Sequence, residues 1–132
     1  MRASLRLTDE RLVVPYENSL IPTDGSAGAA RAAEHGLSLA AALDATVHVL
    51  SVVDDTSLGL DVRSTISGHE REQAATDAVD DVVSVAETRG VSDTFRHVEH
   101  GSPTEVILET IDPNEIHAVV MGTTGRRGSG RI

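Results

Sequence analysis

The chain has 132 residues, no cysteine, and 21 acidic against 11 basic side chains, which gives a formal net charge of −10 at pH 7. This length suits one domain with its own core, and the lack of cysteine excludes disulfides, thiolate metal sites and cysteine nucleophiles. The strong acidity disfavours nucleic acid and anionic membranes as partners.

All the basic residues are arginine and aromatic residues are few. This composition is typical of salt-loving archaea, where high internal salt screens repulsion between carboxylates; an ordinary acidic cytosolic protein is the alternative. No apolar run of about 18 residues or more occurs and the first residues lack a signal-peptide pattern, so we expect a cytoplasmic location.

Residues 1–16 show no clear period and are interpreted as an N-terminal extension. The apolar run from Ser19 to Thr23 then predicts a strand, and Asp24-Gly25-Ser26 predicts a turn whose serine caps the next helix. That helix is predicted over Ala27 to Leu43, because small apolar residues recur there along one face. The first unit is therefore strand, turn and helix.

The next unit repeats this order. Thr46 to Val53 predicts a central strand, since it is apolar on both faces. After a polar linker, His69 to Arg89 has a helical period, and Gly90 is a typical C-terminal stop. The face expected in the core consists of Ala75, Ala78, Val79, Val82, Val83 and Ala86.

The last unit begins with a strand predicted over Thr94 to Val98. Ser102-Pro103-Thr104-Glu105 has the pattern of a capping box and predicts a short helix that ends near Ile111. A further strand follows around Val119. Strands that alternate with helices predict an open, doubly wound parallel α/β sheet, with any ligand beyond the carboxyl ends of the strands.

The final residues turn abruptly from an apolar run into glycines, hydroxyls and arginines, over Ala118 to Ile132. Glycines allow a close main-chain approach, while hydroxyls and arginines donate hydrogen bonds to phosphate. No carboxylate occurs after Glu115, which favours an anion-binding loop; a flexible tail is the alternative.

Four segments together resemble the universal stress protein family and appear in that family's order. They are Ile21-Pro22-Thr23-Asp24-Gly25-Ser26, Ser51-Val52-Val53-Asp54, Gly101-Ser102-Pro103 and Val119-Val120-Met121-Gly122-Thr123-Thr124-Gly125-Arg126. The resemblance implies a domain over residues 17–132 with an adenine nucleotide alpha hydrolase-like fold. It also implies a module that binds ATP or a related adenine nucleotide, with or without Mg²⁺, in a stress-response or regulatory role.

The resemblance also implies which residues contact the nucleotide. Asp24 and the main chain at Val52 would recognise adenine, and the glycine segment would surround ribose and phosphates. For Asp24 a turn-forming role is the alternative. The expected binding residues are Pro22, Thr23, Asp24, Val52, Met121, Gly122, Thr123, Gly125 and Arg126.

The family's glycine signature would close beyond Ile132, so we expect the last helix and strand to be missing and triphosphate binding to be weakened. We expect a homodimer, although the family's usual dimer, which pairs the last strands, is then in doubt. We expect no efficient catalysis, because no nucleophile with a partner base is evident. A metal site at His97 and His100 is disfavoured, since strand periodicity places them on opposite faces. The alternative function is a dimeric scaffold that binds no nucleotide.

Overall fold

A computed structural model describes residues 16–54 and 68–122 of the chain. The predicted extension up to residue 15, most of the polar linker and the glycine segment from residue 123 onward lie outside these ranges. In chain order the elements are β1 (Asn18–Pro22), α1 (Ala27–Leu43), β2 (Thr46–Val53), α2 (Gly68–Arg89), β3 (Thr94–His100), α3 (Pro103–Ile111) and β4 (Ala118–Val119).

The strands form one parallel sheet in the order β3-β2-β1-β4. From β1 the chain moves outward through β2 to β3, and then crosses back to place β4 on the other side of β1. The direction of winding therefore reverses between β1 and β4, which is where ligands bind in doubly wound folds. The predicted open parallel α/β sheet is confirmed.

Helices cover the sheet on both faces and create two apolar clusters. On one face α1 and α2 pack against alternate residues of the central strands, Ile21, Val47 and Val49 among them. On the other face α3 covers Leu20 and Leu50. Successive strand residues point to opposite faces, so a central strand covered on both faces is buried along most of its length. This is the case for β2, which is mainly apolar and includes His48 and Ser51 as buried polar residues.

Several predicted boundaries match the structure. The helix at Ala27–Leu43 begins after the Ser26 cap, whose hydroxyl accepts a hydrogen bond from the Ala29 N–H at 3.1 Å. The predicted core face of α2 is buried as a set. Gly90 follows α2 with φ of 86°, the left-handed conformation expected of a helix stop.

Two predictions needed correction. The strand β3 continues to His100 rather than ending at Val98, because it stays paired with β2 as far as Val53; its polar, exposed last residues concealed this. The capping box is wrong, since the Ser102 side chain makes no cap hydrogen bond. The helix starts there without it, because Pro103 at the first position has its φ already fixed near the helical value.

Candidate functional site

A cleft with a volume of about 740 Å³ opens at the carboxyl ends of β1 and β2, beside the end of β4. This volume lies within the range usual for small-molecule sites. It is the larger of two cavities described, and it lies where the winding of the sheet reverses. The lining residues are Pro22, Thr23, Asp24, Ser26, Gly28, Ala29, Arg31, Leu50, Val52, Pro103, Ile107, Met121 and Gly122.

The turn that follows β1 forms one wall of the cleft. Thr23 is buried, and its N–H donates to the carbonyl oxygen of Leu50 at 2.8 Å, which ties the turn to β2. Its hydroxyl accepts a hydrogen bond from the Gly25 N–H at 3.2 Å. Gly25 has φ of 84°, a value that L-residues with a side chain rarely adopt. These contacts fix the direction in which the chain enters α1.

Asp24 is exposed at the mouth of the cleft and is held in one orientation. Its Oδ1 accepts a hydrogen bond from the Ser26 N–H at 2.9 Å. The Ser26 hydroxyl, and then this N–H, hold the pKa of the Asp24 carboxyl below its ordinary 3.8. Asp24 therefore stabilises the turn, and because it also lines the cleft it presents an ionised carboxylate there at neutral pH.

The opposite wall is formed by the residues after β4. The chain leaves the sheet past Val120, whose N–H donates to the Leu20 carbonyl at 2.9 Å. At Gly122 it passes directly over the first turn of α1. A Cβ placed on Gly122 would lie 2.8 Å from the carbonyl oxygen of Gly28, so only glycine fits this approach of two main chains.

The floor and one side of the cleft are apolar. Leu50 is fully buried beneath it, while Val52 and Ile107 are half-buried and pack against the smaller core cluster. Met121 is 53% exposed and lines the open side. A flat, partly apolar ligand can therefore pack between Met121 and the floor, with polar groups available at the turn and at the start of α1.

The structure brings together all the expected binding residues that it describes: Pro22, Thr23, Asp24, Val52, Met121 and Gly122. Thr123, Gly125 and Arg126 lie outside the described residues. Sequence reasoning missed the contribution of α1, above all Gly28 and Arg31. Their spacing of three places them on one side of a helix that starts at the cleft, and this signal was available in the sequence.

The histidines of β3 point to opposite faces, as predicted. His97 Nε2 lies 3.0 Å from Nδ1 of His48 on β2, whereas His100 Nε2 lies 3.1 Å from a carboxylate oxygen of Glu72 on α2. Within the described ranges, no group of three or more histidine, aspartate or glutamate residues is arranged to hold a metal ion.

The two paired imidazoles meet edge to edge. Their centroids are 5.3 Å apart, about one ring width more than the 3.0 Å between the facing nitrogens, so these nitrogens point at each other. One ring donates an N–H hydrogen bond to the other, and the tautomers decide which ring is the donor. Burial lowers the pKa of His48 below its ordinary 6.5, and the charge of His97 lowers it further.

A parallel sheet whose winding reverses between β1 and β4, with helices on both faces and a cleft at that point, places the chain in the doubly wound α/β class. The sequence profile of the Universal stress protein family matches residues 15–132. A universal stress protein of Methanocaldococcus jannaschii is 35% identical over 121 residues, which cover 89% of this chain and 70% of that protein. The chain belongs to the universal stress protein family.

Solved structures show the same fold. The universal stress protein UspA from Lactobacillus plantarum superposes with a TM-score of 0.71 at 23% identity, covering 91% of this chain and 86% of that one. A universal stress protein solved in complex with cAMP superposes with a TM-score of 0.62 at 18% identity, covering 88% and 84%. No helix in the described part of the chain is long and apolar enough to cross a membrane.

Proposed function

We propose that this protein binds ATP or a related adenine nucleotide in the cleft and acts as a stress-response or regulatory module. The observation that carries the proposal is the position of the cleft, at the switch point of a parallel sheet and between two segments expected to contact the nucleotide. A structural relative in complex with cAMP supports the same class of ligand.

The walls suit the two ends of such a ligand. Adenine is flat and largely apolar on its faces, so it fits between Met121 and the floor at Val52, with Asp24 or the main chain at Val52 receiving its edge. The ribose and phosphates then extend toward Gly122 and the first turn of α1. There Gly28, Ala29 and Gly122 line the cleft, and these small residues leave main-chain groups open to the ligand.

Binding without efficient catalysis is part of the proposal. Asp24 is the only carboxylate among the described lining residues, and its lowered pKa suits a hydrogen-bond acceptor better than a general base. Mg²⁺ is commonly held by one or two carboxylates together with substrate phosphates. This set of residues therefore fits an ion that enters with the nucleotide.

Calorimetric titration tests the proposal with AMP, cAMP and ATP with Mg²⁺, each added to the full chain. Met121→Trp fills the open side of the cleft from an exposed position and is expected to weaken binding at least tenfold. The matched control is Leu39→Trp, an equally bulky change at an exposed position on α1 that does not line the cleft. It should bind like the original chain.

The proposal is overturned if the folded protein binds none of the three ligands at millimolar concentration. It is also overturned if Met121→Trp leaves every affinity unchanged. The first result would favour the alternative function of an interaction module that holds no nucleotide.

A further inference from the structure

Arg31 occupies a position that the resemblance does not assign to any role. It lies in α1 and lines both the cleft and a smaller cavity of about 320 Å³ between α1 and the end of α2. It follows Gly28 by three residues and therefore lies on the same side of α1, one turn beyond the contact with Gly122. Arg31 and Gly122 therefore line the same cleft.

The charged side chains differ between the cleft and the smaller cavity. Among the described residues that line the cleft, Arg31 is the only one with a positive side chain. Glu34 lines the smaller cavity, but its carboxylate is paired with Arg89 at 2.7 Å. On a molecule with a net charge of −10 an anion is repelled at long range, so a cation inside the cleft has a large effect on whether an anion binds.

We propose that Arg31 contacts the phosphate of the bound nucleotide and makes the cleft selective for phosphorylated adenine compounds over adenosine. Arginine presents a planar fork of donors that matches two phosphate oxygens. The exposed side chain can turn toward either cavity, and a phosphate near Gly122 would hold it on the side of the cleft. This inference rests on the proposed adenine nucleotide site.

The test compares AMP with adenosine by calorimetry at constant ionic strength. Arg31→Gln is expected to weaken AMP binding about ten- to a hundredfold, the usual effect of losing a charge-assisted hydrogen bond, and to change adenosine binding less than twofold. Arg31→Lys keeps the charge without the fork and should fall between the original chain and the glutamine variant.

Arg89→Gln is the matched control, because it removes the same charge from the smaller cavity without touching the cleft. It should leave both affinities unchanged. Raising the salt concentration should weaken AMP binding to the original chain, and do so less for Arg31→Gln.

Two results overturn the inference while the proposed function stands. One is unchanged AMP affinity in Arg31→Gln; the other is an equal loss for AMP and adenosine, which would show a purely structural role. If the original chain binds neither AMP nor adenosine, the proposed function fails and this inference fails with it.

Discussion

Gly122→Ala is the most direct perturbation of the wall that closes the cleft. The added Cβ would lie 2.8 Å from the carbonyl oxygen of Gly28 and 3.2 Å from its carbon. The first distance is 0.6 Å less than the 3.4 Å at which ordinary van der Waals contact begins. Both partner atoms belong to the main chain of a helix, so no side chain can rotate away. Either the end of β4 or the first turn of α1 must move.

Overpacking of this kind costs roughly 1–3 kcal/mol. For a domain of this size, that lowers the urea midpoint by about 1 M, as measured by equilibrium unfolding with circular dichroism. The control is Gly68→Ala at the start of α2, where an added Cβ meets nothing within 4 Å and the midpoint should stay within error. Equal midpoints for Gly122→Ala and Gly68→Ala would refute the close approach.

Three further changes test other parts of the fold. Gly36→Ala places a Cβ 3.0 Å from Ile21 Cδ1 and 3.1 Å from Val120 Cγ1, but the ends of these side chains can adjust. Alanine also stabilises a helix by about 1 kcal/mol relative to glycine, which offsets part of the cost. Its stability should stay within about 1 kcal/mol of the original chain, and a loss as large as that of Gly122→Ala would contradict this. Because the pKa of His48 is lowered in the folded state, its contribution to stability is full above pH 6.5 and is lost as the pH falls below that value. The free energy of unfolding should therefore fall as the pH drops below 6.5, and it should fall less in His48→Gln. Identical pH profiles for the two proteins would count against the buried pair. Nδ1 of His117 accepts hydrogen bonds from two main-chain N–H groups at the start of β1, at 3.1 and 3.2 Å. His117→Ala should therefore lower the free energy of unfolding in urea by about 1 kcal/mol. An unchanged free energy would mean that water replaces the imidazole without loss.

The fold was predictable where local patterns decide the structure. The run Thr46–Val53 is mostly apolar on both faces, with His48 and Ser51 as its buried polar residues, and a strand suits such a short segment covered on both faces. In α2 the helical period identifies the buried face residue by residue. The end of β3 was not predictable in this way, because it depends on pairing with β2 rather than on its own polar residues.

Motifs predicted residues that line the cleft, but they did not predict the geometry of the cleft. The residues Pro22, Asp24 and Met121 come from segments far apart in sequence, and only the parallel order of the strands brings them to one cleft. The contact between Gly28 and Gly122 depends on how closely two main chains approach, which a sequence pattern does not encode.

The histidine pair shows the same limit. His48 and His97 come from different strands, and they meet only because the register pairs Leu50 with His97 and places His48 diagonally opposite. Neither residue has a sequence spacing that predicts this contact.

The central claim is that the cleft, and no other surface, binds an adenine nucleotide. Titration of the ¹⁵N-labelled protein with AMP, followed by amide chemical shifts, tests it most directly. We expect saturable shifts at Thr23, Val52 and Gly122, and little change at Phe95, which lies on the edge strand β3 and does not line the cleft. No saturable shifts, or shifts confined to residues around Phe95, would contradict it.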